Sequence, residues 1–71
     1  MKYMVIIEKG SKSWGAFVPD LPGCVAAGES RDEVMRLIKE AMEFHLEGLK
    51  AAGASIPQPS SEIEYIEITA A

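Results

Sequence analysis

One amphipathic helix, with no second helix to pack against, most constrains what this chain can fold into. Ser30-Arg31-Asp32-Glu33 has the pattern of a capping box. The Ser30 hydroxyl can accept from the backbone N–H of Glu33, and the Glu33 carboxylate can reach back to the N–H of Ser30. Asp32 and Glu33 place negative charge in the first turn, where the helix dipole favours it. At the far end Lys50 falls in the last turn, and Gly53 can take the left-handed conformation that closes a helix. Between these caps Val34, Leu37, Ile38, Ala41, Met42, His45, Leu49 and Ala52 share one face at about 100° per residue. Arg31, Arg36, Lys39, Glu40, Glu43, Glu47 and Lys50 share the other, together with Asp32 and Glu33. The pattern predicts a helix of about 22 residues, about 33 Å long at 1.5 Å per residue, that needs an apolar surface to cover it. The rest of the chain must supply that surface as a sheet.

The remaining sequence breaks into short strands. Tyr3 to Ile7 is a continuous apolar run rich in β-branched residues, the pattern of a central strand buried on both faces. Lys9-Gly10-Ser11-Lys12 is a turn. Ser13 to Val18 follows as a second strand, with Trp14, Ala16 and Val18 on one side and Phe17 on the other. Pro19-Asp20-Leu21-Pro22-Gly23 cannot continue a strand. It predicts a rigid bend, with Pro22 second in a tight turn and Gly23 at positive φ. Cys24 to Ala27 is a third strand. Beyond the helix, Ile56-Pro57-Gln58-Pro59-Ser60 is extended, because each residue before a proline is pushed out of helical geometry. Glu62 to Thr69 alternates with β-branched residues and predicts a fourth strand.

The expected fold class is therefore α+β, with order β-β-β-α-β. A right-handed crossover through the helix would lay strand four beside strand one, giving a four-stranded mixed sheet of order 3-2-1-4 with the helix on one face. One helix covers only one face, so the apolar residues on the other side predict an interface and a homo-oligomer, a dimer or higher.

Size supports the same expectation. The 71 residues make a single domain over 1–71, and a domain this small buries only about 60% of its unfolded surface. A lone Cys excludes an internal disulfide, and no Cys/His cluster offers a structural metal, which leaves oligomerisation as the remaining device. The net charge is −4 and the seven Lys and Arg are scattered, with none after Lys50. Glu62, Glu64 and Glu67 have no compensating cation nearby in sequence. This excludes the basic patch of a direct nucleic-acid binder and leaves two readings, a basic partner or plain solubility. No apolar run approaches the roughly 20 residues that span a bilayer. The N-terminus is too short for a signal peptide, so the expected location is cytoplasmic with Cys24 reduced.

Phe17-Val18-Pro19-Asp20-Leu21-Pro22-Gly23-Cys24, then Gly28-Glu29-Ser30 and the helix, then Ile56-Pro57-Gln58-Pro59-Ser60, resemble the HicB antitoxin family in both content and spacing. The resemblance runs from Lys2 to Ile68. It implies a partially degraded ribonuclease H-like fold, and a role in binding and neutralising a small basic mRNA-cleaving toxin of the HicA type. Full-length members commonly add a C-terminal DNA-binding domain. This chain stops at the fourth strand, so no such domain and no DNA binding are carried over.

The chemistry that a ribonuclease H-like nuclease needs is missing from the pattern. Such a site requires converging carboxylates anchored in the central strand, and Tyr3 to Ile7 contains none. Glu8 lies at the end of that strand, and Glu40, Glu43 and Glu47 belong to the solvated face of the helix. Cys24 and His45 are the remaining pair, but a nucleophile also needs a third orienting group. Cys24 fits a small buried hydrophobe and His45 a core or interface histidine. No catalytic residue, cofactor or metal ligand is expected. Pro19 to Cys24 is read as a structural loop. Trp14, Glu62, Glu64 and Glu67 are the candidate partner interface. The alternative to an antitoxin is a small homo-oligomeric structural or ligand-binding domain with no toxin partner, built from the same features.

Overall fold

Strand β1 (Ile6–Lys9), strand β2 (Trp14–Phe17), strand β3 (Val25–Gly28) and helix α1 (Arg31–Ala51) follow one another in the computed structural model, which describes residues 1–70. The strands form an antiparallel meander of order β1-β2-β3. A four-residue connection, Gly10 to Ser13, joins β1 to β2, and the Gly10 N–H donates to the Ser13 carbonyl at 2.7 Å.

Register sorts the side chains onto two faces. Ile7, Ala16 and Ala26 stand opposite one another on the helix side. Ile6, Phe17 and Val25 form the neighbouring row on the other side, as the period of two requires. The core lies between β2, β3 and the helix. Ala16, Val18, Leu21, Cys24, Val34 and Ile38 are buried, and Tyr3, Val5, Ile7, Trp14, Ala26, Ala41, Met42 and Leu46 pack around them. Leu21, Val34 and Ile38 are fully enclosed. Each such side chain stabilises the fold by about 1.5–3 kcal/mol. Leu46 joins this group although it stands outside the apolar face drawn above.

Two expectations about the sheet are corrected. The sheet has three strands, and Glu62 to Thr69 forms none of them. The segment alternates as a strand would, but a strand exists only through a ladder with a neighbour, and alternation supplies no neighbour. Pro57 and Pro59 have no N–H to give to a ladder, and residues 62–70 are exposed throughout. As a result β1 is an edge strand rather than a central one. It also starts at Ile6 rather than Tyr3, and Tyr3, Met4 and Val5 are half-buried instead of enclosed on both sides.

Candidate protein-interaction surfaces

The loop between β2 and β3 is two β-turns in succession. The Leu21 N–H donates to the Val18 carbonyl at 3.1 Å, which puts Pro19 second in the first turn. The Cys24 N–H donates to the Leu21 carbonyl at 3.1 Å, which puts Pro22 second in the next. Gly23, third in that turn, has φ of 83°, the value a type II turn demands. The Val18 N–H closes the loop on the Cys24 carbonyl at 3.2 Å. Both prolines thus sit where their fixed φ suits the turn, and the loop drives Leu21 into the core at 0% exposure.

Asp20, at the crest of this loop, reaches the segment after the helix. Its Oδ2 accepts from the backbone N–H groups of Ser60 at 2.9 Å and Ser61 at 3.0 Å. Its Oδ1 accepts from the two serine hydroxyls, at 3.1 Å and 2.8 Å. The Ser61 N–H, then the Ser60 N–H and the Ser61 hydroxyl, hold the carboxyl down to about 2 from its ordinary 3.8, because they stabilise the charged form. Beside this link the Tyr3 hydroxyl donates to the Pro57 carbonyl. The exit segment is therefore tied to the body at two points, next to the start of β1. The sequence gives no signal for the Asp20–serine pairing, since the partners are 40 and 41 residues apart.

The helix ends follow the local chemistry, with one change. Ser30 Oγ accepts from the Glu33 N–H at 3.1 Å. Glu33 Oε1 accepts from the Glu29 N–H at 2.7 Å rather than from Ser30, so the reciprocal bond lands one residue earlier than expected. Gly28 makes room for it: a Cβ there would meet Glu33 Oε1 at 2.8 Å. At the other end Gly53 has φ of 70°. Its N–H donates to the Lys50 carbonyl at 3.1 Å, and the Ala54 N–H donates to Leu49 at 2.9 Å. This double closure is a Schellman motif.

Three surfaces remain apolar. The row Ile6–Phe17–Val25 lies on the side of the sheet away from the helix, with Val25 65% exposed. An open groove of about 440 Å³ runs between the edge of β3 and the later half of the helix, lined by Val25, Ala41, Phe44, His45 and Leu49 with Cys24 behind. Phe44 is 79% exposed at its rim. Glu40, Phe44 and Glu47 stand at i, i+4 and i+7, one stripe of the outer helix face, and an aromatic set among carboxylates was the available signal for this surface. The third surface is the exit segment itself, with Ile63, Tyr65, Ile66 and Ile68 beside the equally exposed Glu62, Glu64 and Glu67.

The predicted residues do not converge on one site. Trp14 is half-buried, packs against the core, and carries the Lys9 ammonium 5.7 Å above its ring. The three glutamates lie on the exit segment, away from Trp14 in sequence and outside the core. Cys24 is buried, and burial raises its thiol pKa. His45 is half-buried and lines the groove near Cys24. Among the described residues no three His, Cys, Asp or Glu side chains gather as a metal site would require, and no helix is long and apolar enough to cross a membrane.

Comparison with known proteins bears on these surfaces. Residues 3–70 match the family described as "HicB_like antitoxin of bacterial toxin-antitoxin system". An uncharacterised 14.9 kDa protein of Haemophilus phage HP1 is 38% identical over 66 residues, which is 93% of this chain and 50% of that protein. A UPF0150 protein of Helicobacter pylori is 45% identical over 64 residues, 89% of each chain. Antitoxin HicB 2 of Photorhabdus laumondii is 28% identical over 75 residues, 99% of this chain and 51% of that one. The chain thus spans about half the length of the phage protein and of the Photorhabdus antitoxin. Among solved structures, a chain of a HicA3 and HicB3 toxin-antitoxin complex superposes with a TM-score of 0.70 at 28% identity, over 84% of this chain and 70% of that one. With its proline-glycine loop, capped helix and exit segment all inside the matched span, this chain belongs to the HicB-like antitoxin family.

Proposed function

We propose that this protein binds a small basic toxin of the HicA type and neutralises it by covering its RNA-binding face. The observation that carries the reading is the likeness to a chain solved in a HicA3–HicB3 complex. The electrostatics suit such a partner. The net charge is −4, and Glu62, Glu64 and Glu67 are fully available on the exit segment. The Glu40–Phe44–Glu47 stripe adds a second acidic surface, with an aromatic anchor of the kind that protein interfaces favour. Charge complementarity of this sort speeds encounter more than it adds affinity. Trp14 contributes an edge of its ring at most, since its body is packed. The protein acts by occlusion in the cytoplasm, without catalysis, cofactor or direct contact with nucleic acid.

The protein also self-associates. The Ile6–Phe17–Val25 row supports this, because the helix lies on the opposite face and leaves it uncovered. The same row favours the second reading, a homo-oligomeric structural or ligand-binding domain with no toxin.

Co-expression with the product of an adjacent short basic reading frame distinguishes the two. The antitoxin reading expects co-elution on gel filtration, an affinity that weakens as salt rises, and loss of RNA cleavage in the complex. Separate elution of a folded toxin and this protein at low salt would overturn it.

A further inference from the structure

The exit segment and the free edge of β1 are two unfinished halves of one ladder. Residues 62–69 read Glu-Ile-Glu-Tyr-Ile-Glu-Ile-Thr, rich in β-branched and aromatic residues that suit a pleated, partly buried surface. Ile63, Tyr65, Ile66 and Ile68 are 65–86% exposed. Among the described residues the segment makes no backbone hydrogen bond to the rest of the chain. Meanwhile β1 pairs with β2 alone, so its other edge presents a row of free N–H and C=O groups. Exposed strand edges are templates for another strand.

Geometry decides whose edge is filled. The two anchors, Asp20 to Ser60 and Ser61 and Tyr3 to Pro57, hold the chain beside the start of β1. From there the segment departs instead of running back along its own strand. The molecule measures 52 × 27 × 17 Å, with a radius of gyration of 14.5 Å, against about 11 Å for a compact chain of this length. The other edge strand, β3, has no such anchor as Tyr3–Pro57 beside it, since Tyr3 precedes β1.

We infer that residues 62–69 of one copy add to the β1 edge of a second copy, and that the second copy returns its own segment to the first. A two-fold exchange pairs the β1 edge and the exit segment of both copies at once, because each chain carries one of each. It also buries the apolar side chains that a lone subunit leaves in water. The exchange rests on the self-association proposed above and gives it a specific contact. It needs no toxin.

The test mixes isotope-labelled and unlabelled full-length protein, unfolds and refolds the mixture, and records isotope-filtered NOEs between chains. Light scattering on the same samples gives the mass. The expected result is a dimer with interchain contacts joining 62–69 to 4–9. Ile66→Pro, which removes one ladder N–H without touching the core, should reduce the mass to the 7.7 kDa monomer, and truncation after Ser61 should give the correspondingly lighter monomer, both with the helical circular dichroism retained. A dimer lacking those interchain NOEs, or a dimer that survives Ile66→Pro, overturns the exchange and leaves self-association standing. A monomer overturns both. Intrachain contacts alone between 62–69 and β1 also overturn the exchange.

Discussion

Asp20 Oδ2 lies 3.0 Å from the backbone nitrogen of Ser61, 41 residues further along the chain, and this contact ties the exit segment to the β2–β3 loop. With Ser60 included, one exposed carboxylate accepts four hydrogen bonds. The link joins the proline-glycine loop to the exit segment, two of the blocks on which the family resemblance rests.

Release of this link should follow the ionisation of Asp20. Its carboxyl is depressed to about 2 from 3.8, so its contribution is fully present above about 3.8 and is lost as the pH falls through about 2. Amide exchange at Ser60 and Ser61 should be slow at pH 5 and approach free-peptide rates at pH 2, while amides of α1 stay protected. Asp20→Ala should show the fast rates at every pH. Equal protection at Ser60 and Ser61 in the wild type and Asp20→Ala would contradict the link.

Leu21 is the loop residue on which the core depends. Its side chain is completely enclosed, so Leu21→Ala should cost about 2–5 kcal/mol. A chain of this length has a total stability of about 4–11 kcal/mol. Urea unfolding followed by circular dichroism should therefore show either a large drop in midpoint or an unfolded variant. Exposed Pro22→Ala is the control and should cost far less.

The helix start depends on a missing side chain. A methyl at Gly28 would sit 2.8 Å from Glu33 Oε1 and push that carboxylate off the Glu29 N–H. Gly28→Ala should lower stability by about 1 kcal/mol, the scale of a lost cap. In a Glu33→Ala background most of that cost should disappear, as a double-mutant cycle on thermal melts would show.

Gly23→Ala tests the second turn. At φ of 83° the backbone lies in the left-handed region although the space beside Gly23 is open, and the conformational penalty for a residue with a Cβ is about 1–2 kcal/mol. The same substitution at Gly53, φ 70°, should cost a similar amount by removing the Schellman closure. Thermal denaturation of the two variants checks both.

Cys24 should behave as a buried hydrophobe rather than a reactive thiol. It is 4% exposed and burial raises its pKa. Labelling with a maleimide should be slow in the folded state and should accelerate in step with urea unfolding, because access requires opening. Rapid labelling of native protein at pH 7 would show that the loop opens independently.

Local chemistry was the legible part of this protein. The Ser30 and Gly53 ends of the helix, the turn at Pro22 and Gly23, and the facing of Trp14, Ala16 and Val18 away from Phe17 all follow from interactions within a few residues. Leu46 and Phe44 were hidden because each borders one end of the apolar arc, where the wheel passes into charged residues. The reach of Glu33 to Glu29 depends on how tightly Gly28 lets the strand approach the helix, which spacing alone does not give.

By itself the sequence determined three short antiparallel strands, the proline-glycine corner, one capped amphipathic helix and the family to which these belong, because turns, caps and periodicity act over a handful of residues. Only the tertiary structure decided that Glu62 to Thr69 stands off the sheet, that β1 is an edge, and that Asp20 holds Ser60 and Ser61. A strand is defined by its neighbour and a salt-like anchor by its distant donors, and neither neighbour nor donor is encoded next to the residue that needs it.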